Sequence, residues 1–117
     1  MTNKQEFPDL IQLTNYGMGD ADEELQIKLL KTYFTLLLEG DYIPKVITLY
    51  TEAVKLITTD SPLLKELQAL EEKGTLLISC GTCLNHYGLW DQVEVGLVGG
   101  MTDIVESQKK AKKIVSI

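Results

Sequence analysis

Short apolar runs alternate with longer segments of helical periodicity along almost the whole chain, an order that points to parallel strands joined by crossover helices. Leu10-Ile11-Gln12-Leu13 reads as the first strand. The turn Asn15-Tyr16-Gly17-Met18-Gly19 follows, and Asp20 with Glu23 forms a D-x-x-E capping signal. The helix so announced carries Leu25, Leu29, Tyr33 and Leu36 at helical spacing and should stop near Gly40. Pro44 then introduces Lys45-Val46-Ile47-Thr48-Leu49, whose β-branched content predicts a second strand, and a short helix is expected over Ala53 to Ile57.

Ser61-Pro62 makes a helix start, Leu63, Leu67 and Leu70 supply its apolar stripe, and Gly74 stands where a left-handed cap belongs. The third strand is expected over Thr75 to Ile78, followed by a turn and a short helix ending near Gly88. Val93 to Val98 reads as a fourth strand, Met101, Ile104 and Val105 mark a last helix, and Lys113 to Ile117 a closing strand. With 117 residues and 44% hydrophobic content, this predicts one domain over 1–117. Its class is α/β, a three-layer α/β/α sandwich on a mostly parallel five-stranded sheet.

Ligands of such sheets bind outside the carboxyl ends of the strands. Three loops meet that description: 15–20, 50–53 and 80–83. If the first and third strands are neighbours, Asn15, Tyr16, Gly17 and Met18 share a pocket with the third loop, which holds both cysteines of the chain, Cys80 and Cys83. Free N–H groups at a helix start favour a negative charge, and a thiolate is one. Cys80, at the strand end, is therefore expected at a cleft rim with the amides of Gly81, Thr82 and Cys83 aimed at its sulfur. Cys83 could resolve a persulfide or mixed disulfide. The alternative is that both thiols are small buried hydrophobes.

Charge narrows the partners. Net charge is −6, from 11 basic and 17 acidic residues, and every basic residue is lysine. Nucleic acid and anionic membranes are poor partners for such a chain, and no arginine is present to grip phosphate bidentately. No apolar stretch approaches the roughly 20 residues that span a bilayer, and Met1 to Glu6 lack a signal-peptide core, so the cytoplasm is the expected compartment. A structural disulfide is not expected there.

Other chemistries lack parts. Structural zinc wants four ligands, and one cysteine pair with the lone His86 falls short, so no metal is expected. His86 remains a candidate proton donor or thiolate partner. A thioredoxin-like site would place a cis-proline beyond the motif, yet the prolines are Pro8, Pro44 and Pro62. Gly17-Met18-Gly19 lacks the third glycine of a dinucleotide turn, since position 22 is Asp22. No cofactor is expected.

The segments Gly19-Asp20-Ala21-Asp22-Glu23-Glu24-Leu25, Ala53-Val54-Lys55-Leu56 and Leu70-Glu71-Glu72-Lys73-Gly74 resemble the DsrE/DsrF-like family. So do Cys80-Gly81-Thr82-Cys83-Leu84 with Tyr87-Gly88-Leu89, and Val95-Gly96 with Met101 and Ile104-Val105-Glu106. They are most similar to the DsrE-like domain of the YedF selenium-metabolism proteins. The resemblance implies a sulfur-relay protein that carries a persulfide on a cysteine, works between donor and acceptor proteins, and assembles as a homo- or hetero-oligomer. It maps the carrier role onto Cys80 and the second cysteine of the motif onto Cys83. Thr51 stands where the family tends to have Asn, and Gly100-Met101-Thr102 where it tends to have Asn-Met-Tyr. The TusA-like domain of the YedF architecture is not expected, because nothing before Asp9 supplies its Cys-Pro motif.

These readings lead to a sulfurtransferase-like carrier with Cys80 as acceptor. A noncatalytic binding or assembly module of the same fold, and a dithiol redox protein using Cys80 and Cys83, stand as alternatives.

Overall fold

The computed structural model describes residues 9–117. The leader reading of residues 1–6 and the Pro8 assignment lie outside them. The strands are β1 (Leu10–Leu13), β2 (Val46–Leu49), β3 (Leu76–Cys80), β4 (Leu97–Gly99) and β5 (Ile114–Ser116). The helices are α1 (Glu23–Glu39), α2 (Leu64–Glu72), α3 (Gly81–His86) and α4 (Met101–Lys110), with a 3-10 helix at Thr51–Ile57 and a 3-10 turn at Trp90–Gln92.

All strand pairs are parallel, in the order β4-β3-β2-β1-β5. From β1 to β4 the chain steps one way across the sheet, and α1 packs on α2, α2 on the 3-10 helix and the 3-10 helix on α3. The return from β4 to β5 reverses direction and lays α4 on the other face, where Gln108 bonds to Gln12 of β1 and Gln12 to Ser116 of β5 at 2.8 Å. The sandwich is thus three layers, as expected, on a wholly parallel sheet.

Strand parity sends Ile11, Leu13, Ile47, Leu49 and Leu77 into a core shared with Leu30, Phe34 and Leu37 of α1 and Leu67 and Leu70 of α2. Among the described residues no helix is long and apolar enough to cross a membrane.

Several boundaries move for physical reasons. The α1 cap is Asp22, whose carboxylate accepts the Leu25 N–H at 3.0 Å, while Asp20 stays in the loop. Gln26 reaches back to that loop, accepting the Ala21 N–H at 2.8 Å and donating to the Tyr16 carbonyl at 3.1 Å. The loop lies so close that a Cβ on Gly17 would sit 2.5 Å from the Gln26 backbone, at a φ of +124°.

Ser61 and Pro62 form a turn before α2, with the Ser61 hydroxyl accepting the Leu63 N–H at 3.1 Å. The expected fourth strand shortens to three residues because Gly96, at φ +82°, breaks the extended run and Val93 bridges antiparallel to Thr58. β3 runs two residues further than expected, because Ser79 and Cys80 pair with Val98 and Gly99 of β4. β2 lies between β1 and β3, so the proposed neighbours are one strand apart.

Candidate functional site

The carboxyl ends of β2 and β3 meet where the 3-10 helix packs on α3. Cys80 is the last residue of β3 and flanks α3 directly, with no intervening turn. Its backbone is still extended and its side chain is only 3% exposed, packed into the main core cluster. No helix amide caps its sulfur. The expected rim position of Cys80 is therefore corrected: the side chain is packed into the core at the end of β3, and no amide of the helix that follows bonds to its sulfur.

Gly81 and Thr82 also serve differently from the expectation. A Cβ on Gly81 would lie 2.9 Å from the Trp90 ring and 3.2 Å from Val98, so glycine here permits close packing and does not open a path to sulfur. Thr82 is exposed, and the amide that bonds to a thiol is that of Thr51.

Cys83, one turn into α3, is the half-buried thiol. It accepts the Thr51 backbone N–H at 3.1 Å. Burial pushes the Cys83 thiol up, the Thr51 amide pulls it down, and the adjacent Cys80 thiol raises it further. The net direction is upward, because one neutral amide offsets only part of the lost solvation. Thr51 has a φ of +54°, unusual for a β-branched residue. Its hydroxyl lies within bonding reach of the Thr14 and Tyr50 carbonyls.

Beside this contact the Tyr87 hydroxyl donates to Glu52 at 2.8 Å, and the Lys55 ammonium meets Glu52 at 2.7 Å and sits 4.4 Å over the Tyr87 ring. The bonds from Lys55 and Tyr87 hold Glu52 below its usual range, and Glu52 raises both Lys55 and Tyr87. These three border a cleft of about 450 Å³ that also takes in Tyr16, Glu23 and Leu89.

Of the first loop only Tyr16 reaches the cleft. The Asn15 amide donates to the Gly19 carbonyl at 2.9 Å, Gly17 is buried under Gln26, and the Met18 N–H bonds to the Gln26 carbonyl at 2.9 Å, so these residues shape the loop. His86 sets its ring edge-on to Tyr87 at 5.1 Å and bonds to neither sulfur. Thr51 meets Cys83, through its backbone N–H. Glu52, Lys55 and Tyr87 went unsingled in sequence, although Glu52 and Lys55 stand at the i, i+3 spacing of a helical ion pair. Among the described residues no three His, Cys, Asp or Glu side chains gather as a metal site.

A second groove, of about 400 Å³, runs between α4 and the amino ends of β2 and β3, past Asp9, Lys45 and Leu76. It is at the other end of the strands from the thiols.

A family model described as the DsrE/DsrF-like family matches residues 7–117. No curated protein matches significantly. Among solved structures, the ychN protein from E. coli superposes with a TM-score of 0.72 at 14% identity, covering 97% of this chain and 100% of its own. The protein of unknown function MTH1491 from Methanobacterium thermoautotrophicum gives 0.68 at 18% identity, over 92% of this chain and 96% of that one. The conserved protein of unknown function BT1422 from Bacteroides thetaiotaomicron gives 0.66 at 21%, over 93% and 95%. At these identities the three neighbours establish the fold.

Proposed function

The chain belongs to the DsrE/DsrF-like family, and on that premise we propose that it is a sulfur carrier whose acceptor thiol is Cys83, with Cys80 behind it. The resemblance maps the carrier role onto Cys80. The single observation that moves it is exposure: Cys80 is sealed at 3%, whereas Cys83 is half-buried. A partner's persulfide must meet the attacking sulfur directly.

The step balances without an oxidant. The Cys83 thiolate attacks the outer sulfur of a donor R–S–SH, the S–S bond breaks, and R–S⁻ leaves while Cys83 becomes Cys–S–SH. Delivery is the same displacement in reverse, by an acceptor thiolate on the outer sulfur of Cys83, which departs as the thiolate. The Thr51 amide supports the anion at both ends of the cycle.

The carrier is read as one DsrE-like domain working in the cytoplasm, with protein donors and acceptors and without bound metal or cofactor. Association with further copies is supported by apolar side chains left exposed on β4 and α4, with Leu97 at 59%, Met101 at 55% and Val105 at 54%. Sedimentation of the purified chain would check it, with a monomer at all concentrations counting against self-association.

The test is mass spectrometry after incubation with a persulfide donor. Wild type and Cys80→Ser should gain one sulfur on Cys83, and Cys83→Ser should gain none. An adduct on Cys80 in Cys83→Ser would restore the first assignment, and no adduct on any variant would defeat the carrier reading. One observation favours a second reading, a noncatalytic binding module: burial pushes the Cys83 thiol up. That module would alkylate like an ordinary thiol and take up no sulfur.

A further inference from the structure

We propose that Thr51 is a positioning residue for Cys83: its side-chain hydroxyl holds its own backbone in the left-handed conformation that aims its N–H at the Cys83 sulfur. The inference rests on the carrier reading for its purpose and adds to it the element that holds the anion.

A β-branched residue at φ +54° is strained, and such strain persists only where surrounding contacts over-determine it. Here the contacts are visible. The Thr51 hydroxyl is within reach of the Thr14 carbonyl, just after β1, and of its neighbour Tyr50 at 2.6 Å, just after β2. Its one hydrogen serves one carbonyl at a time, and the Thr14 bond ties the loops after two adjacent strands. The result of that conformation is the 3.1 Å contact from the Thr51 N–H to the Cys83 sulfur, 32 residues away in sequence.

The titratable groups around Cys83 do not replace this donor. Cys80 at the end of β3 and Tyr87 at the end of α3 are acids that become anions, and Glu52 on the 3-10 helix is one already. Lys55 and the Tyr87 hydroxyl are both bonded to Glu52. A hydrogen bond to the charged form of a thiol favours that form. The helix amides that sequence would nominate do not reach the sulfur of Cys80. The donor therefore comes from the loop after a neighbouring strand.

The test is the pH profile of Cys83 alkylation by iodoacetamide, read by peptide mass spectrometry in the full chain. Thr51→Val keeps the branch and removes the hydroxyl, so the loop should relax, the Cys83 midpoint should rise by about one unit, and alkylation at neutral pH should slow about tenfold. Thr51→Gly and Thr51→Asn adopt the left-handed conformation readily and should stay within about threefold of wild type. A wild-type profile in Thr51→Val would overturn the proposal, as would equal slowing in Thr51→Gly. Should Thr51→Val not fold, the native chain still decides: the Thr51 amide resonance should shift with the midpoint of Cys83 ionisation, and an amide silent through that range defeats the idea. Persulfide loading enters neither measurement, so a chain that shows these shifts but carries no sulfur defeats the carrier reading alone.

Discussion

At Cys80 the chain is still a strand, paired with Gly99 of β4, and its side chain is 3% exposed within the main core. At Cys83 it has become a helix, and the sulfur sits half-buried against the Thr51 loop. Two thiols in one short motif therefore occupy unlike environments. The difference is set by where the strand ends: its last side chain is packed into the core, and the first helical turn swings the next thiol toward the loop after β2. The C-x-x-C at this junction is thus a graded pair, with one sulfur held in packing and one partly exposed.

The contrast breaks first under direct labelling. Cys83 should react with iodoacetamide on the order of a hundredfold faster than Cys80, because a sealed thiol reacts only through local opening, and each 1.4 kcal/mol of opening is worth tenfold. Urea should erase the difference. Equal rates in the native protein would show that the end of β3 is open, and would return Cys80 to the front of the site.

The contrast also predicts unequal costs of substitution. Cys80→Ser places a hydroxyl where the thiol packs in the core and should cost about 1–3 kcal/mol. Cys83→Ser should stay within about 0.5 kcal/mol, as expected at a partly exposed position. Urea midpoints of the two variants would measure this, and reversal of the order would contradict the burial of Cys80.

Both thiols were legible in the sequence as a pair at a strand-to-helix junction, but their division was not. It depends on Cys80 packing into the core at the end of β3, a contact between segments that no local pattern reports. The same distinction runs through the fold. β1, α1 and α4 follow from period and punctuation close at hand, with Gly40 closing α1 where expected. The shortened β4 follows from the Thr58–Val93 bridge, and the separation of the first loop from the cysteines follows from β2 lying between β1 and β3. Thr51 was visible as a loop residue, whereas its conformation and its amide on sulfur appear only when β1, β2 and α3 are together. Glu52 and Tyr87 escaped for the same reason, being 35 residues apart.

A smaller effect sharpens the helical side of the comparison. The Tyr87–Glu52 bond links the end of α3 to the 3-10 helix and so helps to keep Cys83 against Thr51. Tyr87→Phe removes the hydroxyl and keeps the ring under Lys55. Alkylation of Cys83 should change by no more than about threefold, as for a single exposed polar contact, and Cys80 should not change at all. A parallel rise at Cys80 would mean that the two thiols share one opening unit.

The smallest effect is that of pH on this linkage. Glu52 is held below its ordinary range by bonds from Lys55 and Tyr87, so its contribution is present above the unfolded carboxyl value, about 4.3, and is lost as pH falls through the lower folded value. Lys55 and Tyr87 are raised by Glu52. Their contributions are complete below the unfolded values, about 10.4 and 10, and are lost as pH rises through the folded ones. The linkage should therefore be flat between about pH 5 and 9 and weaken at both ends. All three groups are largely solvated, which keeps the effect small and sensitive to salt. In Glu52→Gln the acid-side and alkaline-side losses should both shrink, because one carboxylate anchors both partners. A variant that lost only the acid-side dependence would show that Lys55 and Tyr87 owe their shifts to some other group.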